Sequence, residues 1–158
     1  METVFSLSAL LVVPFWLAMI VATRWGVTRR VIGSPLVVLA PALLYGVLVL
    51  PRLGELLPTL SSPTLVGVAE LLSTPAGATI AWVHFLAFDL FVGRWEYLDS
   101  RERDLSPWLM APVLLLTFMF GPLGFAVYLL VRAVVGRRAP HRAGGRGDPQ
   151  VGRGLASP

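Results

Sequence analysis

Four long uncharged runs constrain this chain more than any other feature. Between Glu2 and Arg24, between Arg30 and Arg52, and between Asp104 and Arg132 there are 21, 21 and 27 consecutive uncharged residues; between Glu70 and Arg94 lie 23 more, interrupted by Asp89 alone. A helix of about 20 apolar residues crosses a hydrocarbon core of about 30 Å, so each run is long enough to span. Membrane strands are shorter and alternate, which these runs do not. The reading is an all-α integral membrane bundle of four transmembrane helices, over roughly 4–23, 32–51, 76–94 and 107–132, with both termini on one side of the membrane. A composition with 56% hydrophobic and 14% charged residues fits, since a soluble domain carries about 25% charged residues.

The first run starts at an acid, Glu2, and its apolar stretch outlasts the usual h-region, so it reads as a retained helix and not a signal peptide. Cysteine is absent, which excludes disulfide and thiolate chemistry, and so is asparagine, which excludes N-glycosylation. The chain divides into a transmembrane domain, 1–135, and a tail, 136–158. That tail is rich in Arg, Gly and Pro with few large apolar residues, so it is expected to be disordered and to lean on anionic lipid headgroups. It has no interleaved aromatics, and nucleic acid is not an expected partner. Between the second and third spans, Ser62 and Pro63 look like the start of a short helix lying on the bilayer, with Leu65, Val68, Ala69 and Leu72 on one face. With four spans, seven arginines fall on one side and six on the other, so the positive-inside rule leaves the orientation open, and nothing in the sequence sets the oligomeric state.

Prolines 14, 35, 41, 112 and 122 fall within the spans and are expected to kink them. Gly121 and Gly124 flank the kink at Pro122, either as packing glycines in a bent helix or to let a flat ligand approach.

His84 and Asp89 sit inside the third run. A charge in a spanning helix costs about 3 kcal/mol even on a lenient scale, so both should face the bundle interior or a wet cavity. With Arg94 as the membrane boundary, Asp89 lies roughly 7 Å and His84 roughly 15 Å below the interface. Five residues separate them by about 140° around a helix, so a shared site needs a π-bulge or a third group. The alternatives are a core histidine bonded to a neighbouring carbonyl, and an aspartate that caps or pairs with Arg94. Arg94, Trp95 and Tyr97 are explained by an interfacial girdle of aromatics and a snorkelling cation, or else they contact a ligand together with Gly121 and Gly124. Glu96, Asp99, Glu102 and Asp104 read as a solvated loop with Arg101 and Arg103; their spacing is no metal motif, and no metal or cofactor is expected.

The stretches "STPAGATIAWVHFLAFDLFVGRWEYLD" and "SPWLMAPVLLLTFMFGPLGFAVYLLVR" resemble the ABA4-like membrane family, whose plant members act in neoxanthin formation. The resemblance covers essentially residues 4–133 and is most specific at His84, Asp89, Leu90, Phe91, Arg94 and the Gly121-Pro122-Leu123-Gly124 turn. It implies a multi-pass protein of carotenoid or isoprenoid metabolism, an isomerase in which His84 and Asp89 act as acid and base, with a carotenoid or isoprenoid ligand. The alternative is a non-catalytic membrane protein that binds such a lipid or scaffolds a partner enzyme. The arginine-only, Ala/Gly/Pro-heavy composition points to a GC-rich bacterium and its plasma membrane.

Overall fold

A hydroxyl just ahead of a helix sets where several helices begin. Ser34 Oγ accepts from Leu36 N at 3.3 Å ahead of Pro35, Thr64 Oγ1 from Gly67 N at 3.1 Å, and Thr74 Oγ1 from Gly77 N at 3.0 Å ahead of Pro75. Each side chain satisfies an N–H that a helix start leaves unpaired, and proline has no such N–H to satisfy. The computed structural model describes residues 1–136, which form seven helices and no strand. These are α1 (Glu2–Val21), α2 (Gly26–Gly33), α3 (Pro35–Ser61), α4 (Leu65–Ser73), α5 (Pro75–Glu102), α6 (Pro107–Phe120) and α7 (Pro122–Gly136). The expected disordered tail lies outside the described residues.

α1, α3 and α5 are long and apolar enough to cross a bilayer. α3 runs on to Ser61 through a 3₁₀ turn at Leu50–Arg52 and does not stop near residue 51, because Pro51 sits at the start of that turn, where its missing N–H is harmless. α4 is the expected short helix, begun two residues later than expected because Thr64, not Ser62, supplies the cap. At about 1.5 Å per residue, α5 with its 28 residues is about 42 Å long and outreaches the hydrocarbon core.

The fourth expected span, 107–132, is not one helix. α6 stops at Gly121, whose φ of 40° and ψ of −98° suit a residue without Cβ, and Pro122 starts α7 without an N–H to continue the ladder. The chain reverses there. A Cβ on Gly124 would strike the backbone of Thr117, which an unbroken helix would hold about 10 Å away along its axis. The two arms meet α5 in opposite order. Along α6, Thr117 bonds Glu96 and the joint at Gly121 lies on Asp89; along α7, Phe125 and Tyr128 meet Trp95 and Arg132 reaches Asp99. So α6 climbs along α5 to Asp89 and α7 returns by the same route. Arms of 14 and 15 residues are about 21 and 23 Å long, too short to cross, and the pair is a re-entrant hairpin. Non-helical backbone at its tip is tolerable because the tip is packed on protein.

Three crossings and a hairpin place the amino terminus at one end of the bundle and the end of α7 at the other, not on one side as four spans require. Of the arginines in the described residues, Arg24, Arg29, Arg30, Arg94, Arg101, Arg103 and Arg132 lie toward the α7 end and Arg52 alone toward the amino-terminal end.

The core sits between α1, α2, α5 and the hairpin, around buried Trp16, Met19, Ile32, Leu90, Met110 and Tyr128. A smaller cluster, Leu48, Leu56, Ile80 and Val83, joins α3 to α5. Gly93 lets α1 approach α5, since a Cβ there would lie 2.7 Å from Trp16 Cζ3. Gly93→Ala is therefore expected to destabilise the bundle by about 1–3 kcal/mol, read as a lower melting temperature in detergent. Unchanged melting would show that the Trp16 ring can give way.

Candidate functional site

Asp89 occupies the middle of α5, eight residues from Tyr97, whose hydroxyl donates to the Thr23 carbonyl at 3.0 Å just past the end of α1. That places it about 12 Å along the axis from this level. The Arg94 guanidinium turns onto the end of α2: Nε donates to Ile32 O at 2.7 Å and Ser34 O at 3.3 Å, and Nη2 to Gly33 O at 2.6 Å. A cation on the last carbonyls of a helix satisfies orphan acceptors and complements the dipole. Arg94 thereby ties α5 to the α2–α3 bend.

Asp89 has no ion-pair partner among the described residues, and its neighbour is the hairpin tip. A Cβ on Gly121 would come 2.5 Å from Asp89 Oδ1, so the joint needs glycine twice, for its φ and for the carboxylate. His84 stacks on Phe88 with ring centroids 4.9 Å apart and faces Tyr45 of α3 at 5.3 Å.

α5 is an unbroken α-helix here, without the π-bulge that a shared site was expected to need. The groove makes the connection instead. An open furrow of about 730 Å³ wraps across α5 from His84 over Phe85 and Phe88 to Asp89, and is closed on the far side by Phe118–Pro122 and Phe125 of the hairpin. Phe85, Phe88 and Phe120 are exposed at 57%, 59% and 63%, so the furrow opens where lipid chains lie. On the other side of His84 a slot of about 330 Å³ runs between α3 and α5, lined by Tyr45, Ala87 and Phe91 among others. A cleft of about 770 Å³ at the arginine-rich end, between Ala22–Trp25 and Pro107–Ala111, holds no ionisable group but Arg24. Its exposed Trp25 and Trp108 are those of an interfacial girdle.

The other residues named from sequence are dispersed. Trp95 is edge-on to Phe125 and Tyr128 at 5.7 and 5.6 Å, with the Arg132 guanidinium 5.4 Å above its ring, and so packs α7 onto α5. Tyr97 is 1% exposed, with its hydroxyl taken by Thr23. Gly124 is the close-approach residue of the hairpin. Of the named set, His84, Asp89 and Gly121 share the groove; Arg94, Trp95, Tyr97 and Gly124 hold the frame around it.

Sequence reading missed Glu96. It is wholly buried, and Thr117 Oγ1 lies 2.9 Å from its Oε2 and 3.1 Å from its Oε1. The available signal was its register, because Asp89, Glu96 and Asp99 fall on one stripe of α5. Asp99 receives the Tyr128 hydroxyl and pairs with Arg103 at 2.7 Å and Arg132 at 3.3 Å. Among the described residues no three His, Asp or Glu side chains are grouped to hold a metal.

A family model described as ABA4-like, ABA DEFICIENT 4-like, matches residues 3–128, most of the chain. The chain belongs to the ABA4-like family. The match takes in α1 to α6, the Gly121 joint and the start of α7, so the whole groove lies within it. Protein ABA DEFICIENT 4, chloroplastic, from Arabidopsis thaliana is 28% identical over 141 residues, 85% of this chain and 62% of that protein. This ABA4-like chain thus spans under two thirds of that relative's length. No solved structure matches it.

Proposed function

We propose that this membrane protein draws a carotenoid or another isoprenoid lipid sideways from the bilayer into the groove, and isomerises it with Asp89 and His84 as acid and base. The observation that carries the reading is the groove itself. Aromatic faces open to lipid surround a carboxyl and an imidazole at mid-membrane depth, where such groups are costly and are kept for function. Isomerisation needs a proton delivered to one atom of the ligand and another removed from a second, with no net gain or loss of atoms. Two titratable groups on one wall, with rings between them to hold a flat polyene, meet that need. The carotenoid link of the ABA4-like family supports the ligand class, and the composition favours a bacterial plasma membrane as its location.

Solvent extraction of the purified protein, read by absorbance and mass, tests the ligand. A polyene or isoprenoid is expected at close to one per chain, and Phe88→Ala, which removes the ring stacked on His84, should strip most of it. Protein that carries only bulk phospholipid in both forms would sink the proposal. Turnover of the extracted lipid by reconstituted protein then separates an enzyme from a binder.

A further inference from the structure

We propose that the cleft at the arginine-rich end holds one anionic phospholipid, with its phosphate on Arg24. The proposal is independent of the reading of the groove, which lies at the opposite end of α6.

The arginines of this end are of two kinds. Arg94 donates to the carbonyls that end α2, Arg101 donates to the Leu105 carbonyl, and Arg103 and Arg132 pair with Asp99. Those four hold the protein to itself. Arg24, Arg29 and Arg30 are exposed and have no acid partner among the described residues. Arg24 lines the cleft, whereas Arg29 and Arg30 do not, and neither do the acids Glu102 and Asp104 of the same end. A guanidinium facing a cavity that contains no carboxylate calls for an anion from outside, and its planar fork of N–H donors matches the oxygens of a phosphate.

The walls say which kind of anion. Along α1 the lining runs from Ile20 and Val21 to Arg24 and Trp25 just past the helix end; along α6 Trp108 lies at the start and Ala111 one turn, about 5 Å, deeper. Both walls therefore pass in the same direction from a rim of one cation between two indoles, 68% and 88% exposed, to an apolar interior. A phospholipid has the same gradient. Its phosphate meets Arg24, its glycerol and ester groups lie beside the indoles at the depth that tryptophan favours, and its first methylenes rest on Ile20, Val21 and Ala111. A soluble anion would use Arg24 and leave the inner walls bare, and a neutral lipid would leave the guanidinium without a partner. About 770 Å³ is the size of a cavity that takes a sizeable ligand, here a headgroup with the upper part of a chain. The surplus of arginine puts this end on the cytoplasmic side, whose leaflet carries anionic lipid. Seated there, the lipid bridges the end of α1 to the start of α6.

Native mass spectrometry of the detergent-solubilised full chain, titrated separately with phosphatidylglycerol and phosphatidylcholine, tests the site. The first phosphatidylglycerol is expected to bind at least about fivefold more tightly than phosphatidylcholine, the effect of one arginine near a membrane surface, and Arg24→Gln should erase that difference. Arg30→Gln, equally exposed but outside the cleft, should leave it in place. Trp108→Ala, which removes one side of the rim from a position 88% exposed, should weaken phosphatidylglycerol by about threefold or more and serves if Arg24→Gln does not insert. Glycerol 3-phosphate, which has the phosphate without the chains, should not displace the lipid at about 100-fold excess. Equal affinity of the wild type for the two lipids, or wild-type preference in Arg24→Gln or wild-type affinity in Trp108→Ala, overturns the proposal. So does an equal loss in Arg24→Gln and Arg30→Gln, which would show a diffuse attraction of surface charge, and so does displacement by glycerol 3-phosphate, which would make the occupant a free phosphate.

Discussion

Asp89→Asn is expected to lower turnover of the extracted isoprenoid by about 10²- to 10⁴-fold while insertion and melting stay close to wild type. The amide has nearly the volume of the carboxyl, so it fits beside Gly121, where nothing larger than the present arrangement leaves room. What it lacks is a titrating proton. No ion pair is lost with the charge, because Asp89 has none among the described residues, and removing a lone carboxyl from mid-membrane should if anything ease insertion. His84→Gln is expected to do less harm, since the His84 ring also serves as a packing surface between Phe88 and Tyr45 and part of that surface survives. Unchanged turnover in folded Asp89→Asn protein would take the residue out of the chemistry.

The second large effect is one of compartment. Reporters fused at Met1 and after Gly136 are expected to lie on opposite sides of the membrane, with the α7 end on the side from which the chain inserts. Seven arginines of the described residues lie toward that end and Arg52 alone toward the other, so the positive-inside rule acts strongly once α6 and α7 are recognised as a hairpin. Because the chain has no cysteine, single substitutions give a finer map. Glu102→Cys and Gly136→Cys should react with an impermeant thiol reagent from one side and Ser62→Cys from the other. Gly136→Cys reacting together with Ser62→Cys would mean that residues 107–136 cross the membrane after all.

Hydropathy made the membrane, the helices and three of the crossings legible, because length and apolarity are properties of composition alone. The hairpin was not legible by that means. α6 and α7 are as greasy as a span, and what divides them is a positive φ at Gly121 held by Asp89, a contact between residues 32 apart in sequence. The Gly-Pro-Leu-Gly turn was visible, but a proline flanked by glycines announces a kink and a reversal equally. That single ambiguity left the orientation undecided. The groove pair was legible as two costly residues, although their meeting across Phe85 and Phe88 depends on the hairpin forming the opposite wall. Glu96 was hidden by its neighbours. Between Arg94, Trp95 and Tyr97 it looks like part of a wet girdle, and only the descent of Thr117 along α5 shows that it is dry.

A hairpin that stops at Asp89 fills one leaflet and leaves the other to lipid. On the far side of its tip, Trp82, Phe85 and Phe88 of α5 are 38%, 57% and 59% exposed, with no arm of the hairpin beyond Gly121 to cover them. On the proposed reading, a ligand enters from the leaflet on the amino-terminal side, and its supply is governed by transbilayer asymmetry. A lipid made in the opposite leaflet and slow to flip would be out of reach however abundant it was, so the rate of flipping, and not the total amount, would set the flux through this site.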